Sequence, residues 1–421
     1  MPLEEYRPVG DPTEEGCGPV ADGHPVAATG PLPRRIVETV RAEGRIARVD
    51  LAKRLDVSPA TITSVVTDLI ARGLLREVEG PVRQGSRGRP PTALGIVPAA
   101  AHVIGLKLSE FRHSGVLMDF AGRVVAEAAL DRAEPARDLD RLAEEAATLV
   151  DRLLKQAGRT AGDVLNIGAG LPGFVDHDGG TLAWSPLLPV GRHDLAGPLS
   201  RRLGRPVRID NDANLLTLAE LWFGHGRRVP DFAVVTIEQG IGMGLAIGHR
   251  LYRGAGAMGM ELGHTKVQLD GALCRCGQRG CLEAYVSDYA LVREASTALD
   301  LSVRASQSAQ VILDSLHDQA KAGNEAARTI FRRAGRFMAL GLANVYNLFD
   351  PSLIVVSGAR LRYDYLYAEE VFSEMRTLII DSGRPPPRIE VNAWGEFGWA
   401  RGAAAMALAE ATDALFAGES A

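Results

Sequence analysis

Residues 259–285 read GMELGHTKVQLDGALCRCGQRGCLEAY, and three of the chain's four cysteines, Cys274, Cys276 and Cys281, fall within them. The fourth, Cys17, stands alone near the N-terminus. A disulfide framework needs paired cysteines spread along a chain in an oxidising compartment, and this arrangement is different. With His264 the stretch offers one imidazole and three thiolates, the donor set of a tetrahedral zinc ion. The Cys-x-Cys pair, Gly277 and Gly280 allow the tight turning such a site needs. Four protein ligands close the coordination shell, so the expected metal is structural and does not activate water. The competing readings are reduced surface cysteines brought together by chance, and a redox or zinc sensor.

Working outward, Glu261 and Glu283 bracket the cluster. Upstream, Arg208-Ile209-Asp210-Asn211-Asp212-Ala213-Asn214 sits where a short strand ends and a helix begins, the place where α/β folds gather ligands. Carboxylates and an amide converging there suit paired hydrogen bonds to vicinal hydroxyls. Taken alone, Asp210 and Asp212 would more often be helix caps or solvated loop charges, and the neighbouring zinc cluster is what shifts the balance towards a ligand site. Strand-like runs at Val103–Leu106, Val164–Ile167, Val207–Ile209, Ala233–Ile237, Gly244–Ile247 and Leu353–Val356 alternate with helical stretches at Leu139–Gln156, Leu215–Phe223 and Glu325–Asn347. That alternation predicts an α/β fold of two units with helix-covered sheets.

The chain has 421 residues, 46% hydrophobic and 24% charged, the balance of a globular protein long enough for several domains. No apolar run approaches the ~18 residues that would span a membrane. Glu4 and Glu5 precede no apolar core, so a secretory signal is not expected and a cytoplasmic location is. The net charge of −5 excludes a general polyanion binder. Charge is nevertheless uneven. Residues 34–89 hold 12 Lys and Arg against 7 Asp and Glu, a local +5 that leaves −10 for the remainder. A basic module on an acidic body points to nucleic acid.

Within that module, VDLAKRLDVSPATITSVVTDLIARG (residues 49–73) carries two helical patterns. Ile62, Val65, Val66, Leu69 and Ile70 follow the spacing of one buried helix face. Ser58 is placed to cap that helix, Pro59 suits its first turn, and Gly73 is placed to end it. Leu51, Ala52 and Leu55 mark a shorter helix before the tight Asp56-Val57 link. Two short helices with such a turn make a helix-turn-helix whose second helix enters the major groove. Ser58, Ala60, Thr61, Thr63, Ser64 and Thr67 are its candidate DNA contacts, small and hydroxylic groups suited to phosphates, base edges and thymine methyls. Leu74–Val78 and Thr92–Val97 then form a β-ribbon, a wing whose tip sets Arg87 and Arg89 between glycines for a narrow minor groove. The plainer alternative is a small helical adaptor with a flexible basic loop.

Taken together, Gly168-Ala169-Gly170-Leu171-Pro172-Gly173, Asn211-Asp212-Ala213-Asn214, Glu261-Leu262-Gly263-His264 and the Cys274–Glu283 run resemble the ROK family (repressors, open reading frames and kinases) over essentially residues 33–415. With the winged helix, the set resembles the family's transcriptional regulators. The resemblance implies an actin-like (ribonuclease H-like), two-lobed sugar kinase fold. It implies sugar contacts from Gly173, Asn211, Asp212, Glu261, His264 and Glu283, with His264 serving zinc through one ring nitrogen and a hydroxyl through the other. In the family's kinases the aspartate matching Asp212 is the general base.

This chain departs from the family at the phosphate end. Where the first phosphate loop would read Asp-x-Gly-Gly-Thr, it has Lys107-Leu108-Ser109-Glu110-Phe111, which replaces glycines with bulk and a negative charge. Gly240-Ile241-Gly242-Met243-Gly244 keeps the second loop, while Ser357-Gly358 replaces a Gly-Gly pair near the adenosine end. Phosphoryl transfer depends on positioning and charge stabilisation, so these losses count against ATP and against catalysis. Leu187, in Ser185-Pro186-Leu187-Leu188-Pro189, stands for an asparagine and removes one polar sugar contact.

The expected organisation is a disordered tail at 1–30, a winged helix-turn-helix at 31–98, a first lobe at 99–212 with the C-terminal helix 397–415, and a second lobe at 213–396 carrying the zinc clip. The expected function is a sugar-responsive DNA-binding regulator, a repressor, acting as a homodimer or homotetramer on double-stranded operator DNA. Its effector is a sugar or sugar phosphate bound between the lobes, and no membrane is involved. The alternative is an ATP-dependent sugar kinase fused to a DNA-binding domain, with Asp212 catalytic. A plain dimerisation scaffold would not need Asn211, Asp212, Glu261 and Glu283.

Overall fold

The computed structural model describes residues 16–20, 30–79, 92–132, 138–256, 259–299, 309–358, 369–381 and 383–418. They form two compact units, one built from Asp231–Leu245 and Gly259–Gly395 and the other from the rest of the described chain. Among the described residues no helix is long and apolar enough to cross a membrane.

The larger unit begins with three helices, α1 (Leu32–Glu43), α2 (Arg48–Leu55) and α3 (Pro59–Ala71), and a two-stranded antiparallel ribbon of β1 (Leu75–Glu79) and β2 (Thr92–Ile96). The predicted punctuation is in place. Ser58 Oγ accepts the Thr61 amide at 3.2 Å, and Asp56 takes the left-handed conformation (φ 52°) that turns α2 towards α3. Past α3, Gly73 (φ 71°) donates its amide to Ile70 O, and Leu74 N donates to Leu69 O. Those two bonds satisfy carbonyls the helix end would leave open, a Schellman ending. Ile62, Val66 and Leu69 are buried, whereas Val65 and Ile70 are half-buried, so the apolar stripe is narrower than its spacing suggested. The wing tip, with Arg87 and Arg89, lies outside the described residues.

The same unit continues into a five-stranded sheet ordered β10-β6-β3-β4-β5: β3 (His102–Lys107), β4 (Arg112–Asp119), β5 (Val124–Asp131), β6 (Val164–Leu171) and β10 (Val207–Asn211). Strands β10, β6 and β3 run parallel, and β3, β4 and β5 antiparallel. Strands β4 and β5 were not evident in the sequence, because β4 is buried on both faces after its first residue and shows no alternation. A small sheet of β7 (Phe174–Asp176), β8 (Thr181–Trp184) and β9 (His193–Asp194) projects beyond β6. Helices α4 (Leu139–Ala157), α5 (Ala196–Leu203) and α6 (Asp212–Phe223) complete the unit with the C-terminal helix α12, Gly398–Phe416.

Helix α12 is buried almost all round and rich in Ala and Gly, so neighbouring backbones come very close. A Cβ at Gly105 or Gly168 would overlap backbone atoms of α12, and one at Gly402 would overlap the Leu215 carbonyl of α6. Backbone cannot yield as a side chain does, so Gly402→Val is expected to cost more than the ~1–3 kcal/mol of ordinary overpacking. A urea unfolding midpoint equal to that of the parent chain would show that α6 and α12 do not cross there.

The other unit holds β11 (Phe232–Ile237), β12 (Ile241–Ile247) as far as Leu245, β14 (Leu353–Ser357) and β15 (Arg388–Asn392), whereas β13 (Arg250–Tyr252) is counted with the larger unit. These strands form a second five-stranded sheet, ordered β13-β12-β11-β14-β15, with β11, β14 and β15 parallel. Helices α7 (Glu283–Val286), α8 (Asp288–Ala298), α9 (Ala309–Lys321), α10 (Glu325–Phe349) and α11 (Glu369–Leu378) accompany it. Asn324 caps α10 by accepting the amides of Ala326 and Ala327. Gly341 lets that helix close on Leu282, since a Cβ there would stand 2.6 Å from a Leu282 methyl.

Within residues 1–30, expected to be an unstructured tail, Gly16–Val20 is placed, with Cys17 and Val20 buried. A five-residue docking segment is too short to show hydrophobic periodicity, which is the signal the sequence reading relied on.

Candidate functional site

His264, Cys274, Cys276 and Cys281 do come together: one ligand atom from each lies within 4.8 Å of all the others. A tetrahedral ion with Zn–S bonds of about 2.3 Å needs sulfur atoms about 3.8 Å apart. Cys276 and Cys281 Sγ are 3.7 Å apart, and Cys274 Sγ is 3.7 Å from His264 Nδ1. The donor set and its spacing therefore fit zinc. Nδ1 is the ring atom turned to the sulfurs, which leaves Nε2 for another partner.

The loop is held in this shape from several sides. Cys274 N donates to Gln278 O and Gly277 N to Cys274 O, and the Ala272 amide donates to Tyr285 Oη at 2.7 Å. Tyr285 in turn stacks on Phe337 of α10, with ring centroids 4.0 Å apart. Gly280 (φ 76°) is required, because a Cβ would overlap the Gln268 carbonyl. Two residues that sequence reasoning did not single out touch the sulfurs. Lys266 Nζ donates to Cys281 Sγ at 3.1 Å, which raises the lysine's pKa, and Tyr289 Oη donates to Cys274 Sγ at 3.4 Å. Neither stands in a recognisable motif.

Glu283, at the start of α7, links this cluster to the Gly240–Gly244 loop. Its Oε1 accepts from Tyr289 Oη at 3.4 Å, and its Oε2 lies 3.4 Å from the Ile241 amide. A Cβ on Gly240 would be 2.6 Å from the same carboxylate oxygen. The second phosphate loop thus already faces an internal anion. Glu261, His264 and Glu283 all belong to this unit and are half-buried.

In the larger unit, Gly173, Asn211 and Asp212 meet at the end of β10. Asn211 Oδ1 accepts the Ala213 amide at 2.8 Å, so it caps α6, and its Nδ2 donates to Gly173 O at 2.8 Å. Both ends of the amide are thereby engaged with backbone, and Asn211 acts here as the tie that sets Gly173. Gly173 (φ 129°) is obligatory, since a Cβ would overlap the Trp184 carbonyl. Asp212 opens α6, and its Oδ1 accepts the Ala213 amide at 2.9 Å.

Asp210 is neither a cap nor a solvated charge. It is 1% exposed, and Arg253 clasps its Oδ2 through Nε (2.8 Å) and Nη2 (2.7 Å). Its Oδ1 accepts from the Asn211 amide and Asn214 Nδ2, both at 2.8 Å. A buried carboxylate of this kind requires a paired cation and several hydrogen bonds. Arg253 was invisible in the sequence because it reaches this turn from a distant loop. Leu187, expected to thin the polar contacts, is buried in the apolar core beside Leu182 and Leu188.

The altered first phosphate loop spends its amides internally. Leu108 N donates to Gly170 O, and Ser109 N donates to His113 Nδ1 at 3.0 Å. That bond puts the ring proton of His113 on Nε2, facing Glu145 at 3.1 Å, and burial pulls the imidazole below its ordinary pKa. Arg132 Nη1 donates to Ser109 O, and Phe111 stands 59% exposed. A cradle for phosphate needs amides aimed at the ligand, and these two are committed elsewhere.

On α3, Ser58, Ala60, Thr61, Thr63, Ser64 and Thr67 are all exposed. Thr63 and Thr67 hydroxyls donate to Pro59 O and Thr63 O at 2.8 Å. Their protons are therefore directed inward, which suits the side chains to apolar contact with thymine methyls. Ser58→Ala is expected to cost about 1 kcal/mol through the lost cap. Faster amide exchange at the start of α3, with the rest of the chain unchanged, would register it.

Comparison with known proteins bears on all three regions. A model described as "ROK family" matches residues 114–410, and one described as "Winged helix-turn-helix DNA-binding" matches residues 31–76. The chain is 27% identical to the xylose repressor of Caldicellulosiruptor bescii over 341 residues, covering 80% of this chain and 85% of that one. A solved ROK family transcriptional regulator, a homolog of the E. coli MLC protein, superposes with a TM-score of 0.75 at 25% identity, over 90% of this chain and 95% of that one. A ROK family glucokinase from Streptomyces griseus, solved with glucose and AMPPNP, gives 0.62 at 27% identity, over 73% and 99%.

Proposed function

This chain belongs to the ROK family, and from that premise we propose that it is a sugar-responsive, DNA-binding transcriptional repressor with a structural zinc ion and no sugar kinase activity. The observation that carries this reading is a helix-turn-helix with both strands of its ribbon, built into the same compact unit as the kinase-like lobe. Arg34 of α1 pairs with Asp413 of α12 at 2.8 Å, and Arg72 lies 4.9 Å from the Phe416 ring centre. A recognition module seated on the helix that packs against β3, β6 and α6 is placed to respond to that lobe. The xylose repressor and the MLC-like regulator, each matched over most of its length, support the same reading.

In this proposal Gly173, Asp212, Glu261, His264 Nε2 and Glu283 recognise the hydroxyls of a sugar or sugar phosphate. Asn211 holds Gly173 in place. Ser58, Ala60, Thr61, Thr63, Ser64 and Thr67 meet DNA in the major groove, with Arg87 and Arg89 of the wing in the minor groove. One winged helix covers too little duplex for tight specific binding, so the active form is a homodimer or homotetramer on a near-palindromic cytoplasmic operator. Zinc, when bound, would staple the His264–Cys281 loop so that Glu261 and Glu283 keep their places.

Selection of binding sites from random duplex DNA, followed by affinity measurements with glucose, xylose, N-acetylglucosamine and their phosphates, tests the reading. A preferred site whose affinity changes about tenfold or more with one sugar is expected. No sequence preference, together with no sugar effect, would end it. The glucokinase likeness and the intact Gly240–Gly244 loop favour a second reading, a kinase fused to the winged helix. ATP-dependent turnover with any of these sugars, abolished in Asp212→Asn, would install that reading instead.

A further inference from the structure

We propose that Gly16–Val20 is a strap that ties helix α1 of the winged domain to the C-terminal end of α6, so that the seating of the domain is set from the helix whose other end carries Asn211 and Asp212. The strap itself stands on geometry, and its link to a sugar rests on the function proposed above.

Cys17, Gly18 and Val20 hold the segment in place. Cys17 N donates to Arg41 O at 2.9 Å, Gly18 N to Trp222 O at 2.8 Å, and Val20 N to Arg227 O at 2.7 Å. The strap is therefore stitched to α1 at Cys17, and to the end of α6 and the turn that follows it at Gly18 and Val20. Arg227 closes the stitch, donating from Nε to Gly18 O (3.2 Å) and from Nη2 to Ala42 O (2.8 Å). Cys17 Sγ donates to Ala121 O at 3.3 Å, and both Cys17 and Val20 are buried.

The surroundings are cut to receive it. Gly16 takes a positive φ of 71°, and a Cβ there would overlap the Ala42 carbonyl. A Cβ on Gly122 would overlap the Cys17 sulfur, so glycine leaves the space the thiol fills. Arg41, 2% exposed, braces the same junction by donating to Phe120 O (3.0 Å) and Thr412 Oγ1 (3.1 Å). Helix α6 has 12 residues, a rod about 18 Å long. Asp212 opens it, and Trp222, which receives the strap, is its last residue but one. A displacement of α6 driven at Asp212 would be felt at Gly18 and passed to Arg41 of α1.

The test compares the full chain with a variant that starts at Ala21, by amide hydrogen exchange. Without the strap, exchange in α1 is expected to rise roughly tenfold or more while β3 and β6 keep their protection. Unchanged exchange in α1 would overturn the proposal. A second measurement guards against a variant that fails to fold. Burial pushes the Cys17 thiol up to about 11, so at pH 8 N-ethylmaleimide should label it in the intact protein about a hundredfold more slowly than in urea. Labelling at the unfolded rate would equally overturn the strap. For the coupling, glucose, xylose and N-acetylglucosamine are screened by thermal shift. The sugar that stabilises the chain is expected to alter α1 exchange in the full chain only, while its thermal shift persists in the variant. Equal α1 responses in both chains would overturn the coupling. If none of the three binds, the sugar reading is what fails, and the exchange and labelling results still decide the strap.

Discussion

Stripping the His264, Cys274, Cys276 and Cys281 cluster with a strong chelator is expected to lower the thermal midpoint of the protein by about 10 °C. Structural zinc sites release about 10–16 kcal/mol in small peptides, where metal binding and folding are one event. Here the loop also has its own anchors, Tyr285 on Phe337 and Leu282 beneath Gly341, so only part of that energy should appear as lost stability. A loss of ~5 kcal/mol with a response of about 2 °C per kcal/mol gives the stated shift. Cys281→Ser should reproduce it, because Cys281 is fully buried and shares its sulfur with Lys266 Nζ. Cys276 is exposed, so Cys276→Ser should keep more of the structure. Zinc content by atomic absorption and melting by circular dichroism check both. A midpoint unmoved after complete metal loss would show that packing alone holds the loop. If instead chelation freed operator DNA without unfolding the chain, metal sensing would become the better account.

Asp212→Ala is expected to remove half or more of the stabilisation by the effector while leaving the sugar-free protein close to its parent in stability. A ligand at 100 times its Kd adds about 2.7 kcal/mol to the folded state. A hydrogen bond to a charged group contributes about 1.5–3 kcal/mol, so its removal weakens binding roughly ten- to a hundredfold. At the same sugar concentration about half of the thermal shift should disappear at the tenfold end of that range and most of it at the hundredfold end. The cap on α6 survives, because Asn211 Oδ1 also accepts the Ala213 amide. Arg253→Ala provides the contrast. It leaves the carboxylate of Asp210 buried without its guanidinium, which should destabilise the apo protein as well. An undiminished sugar shift in Asp212→Ala would remove this residue from the site.

The two regions differ in how far they could be read from sequence, and the difference has a physical origin. The metal cluster was legible because three of its ligands sit within eight residues and thiolate chemistry is rare enough to be distinctive. The recognition helix was legible because Ser58, Pro59 and Gly73 act on their nearest neighbours, and capping depends on groups only a few residues apart. The departure from the family pattern at Lys107–Phe111 was visible for the same reason. The roles of Asn211 and Asp210 were not. Asn211 read as a sugar contact and Asp210 as a cap or solvated charge, and only the folded chain shows Asn211 capping α6 and tying Gly173, and Asp210 clasped by Arg253.

What the amino-acid sequence determined by itself is therefore whatever short-range chemistry enforces: the α/β alternation, the helix-turn-helix with its caps, the donor set of His264, Cys274, Cys276 and Cys281, and the altered run Lys107–Phe111. What only the tertiary structure decided is the set of contacts between residues far apart in the chain. Arg41 meets Thr412 across 371 positions, Cys17 finds the space left by Gly122, and Gly402 lets α12 lie on α6. Such pairs leave no periodic trace, because each member satisfies local rules equally well without the other. They exist because burial of apolar surface brings distant segments together, and every buried polar group must then find its partner where the fold happens to place one.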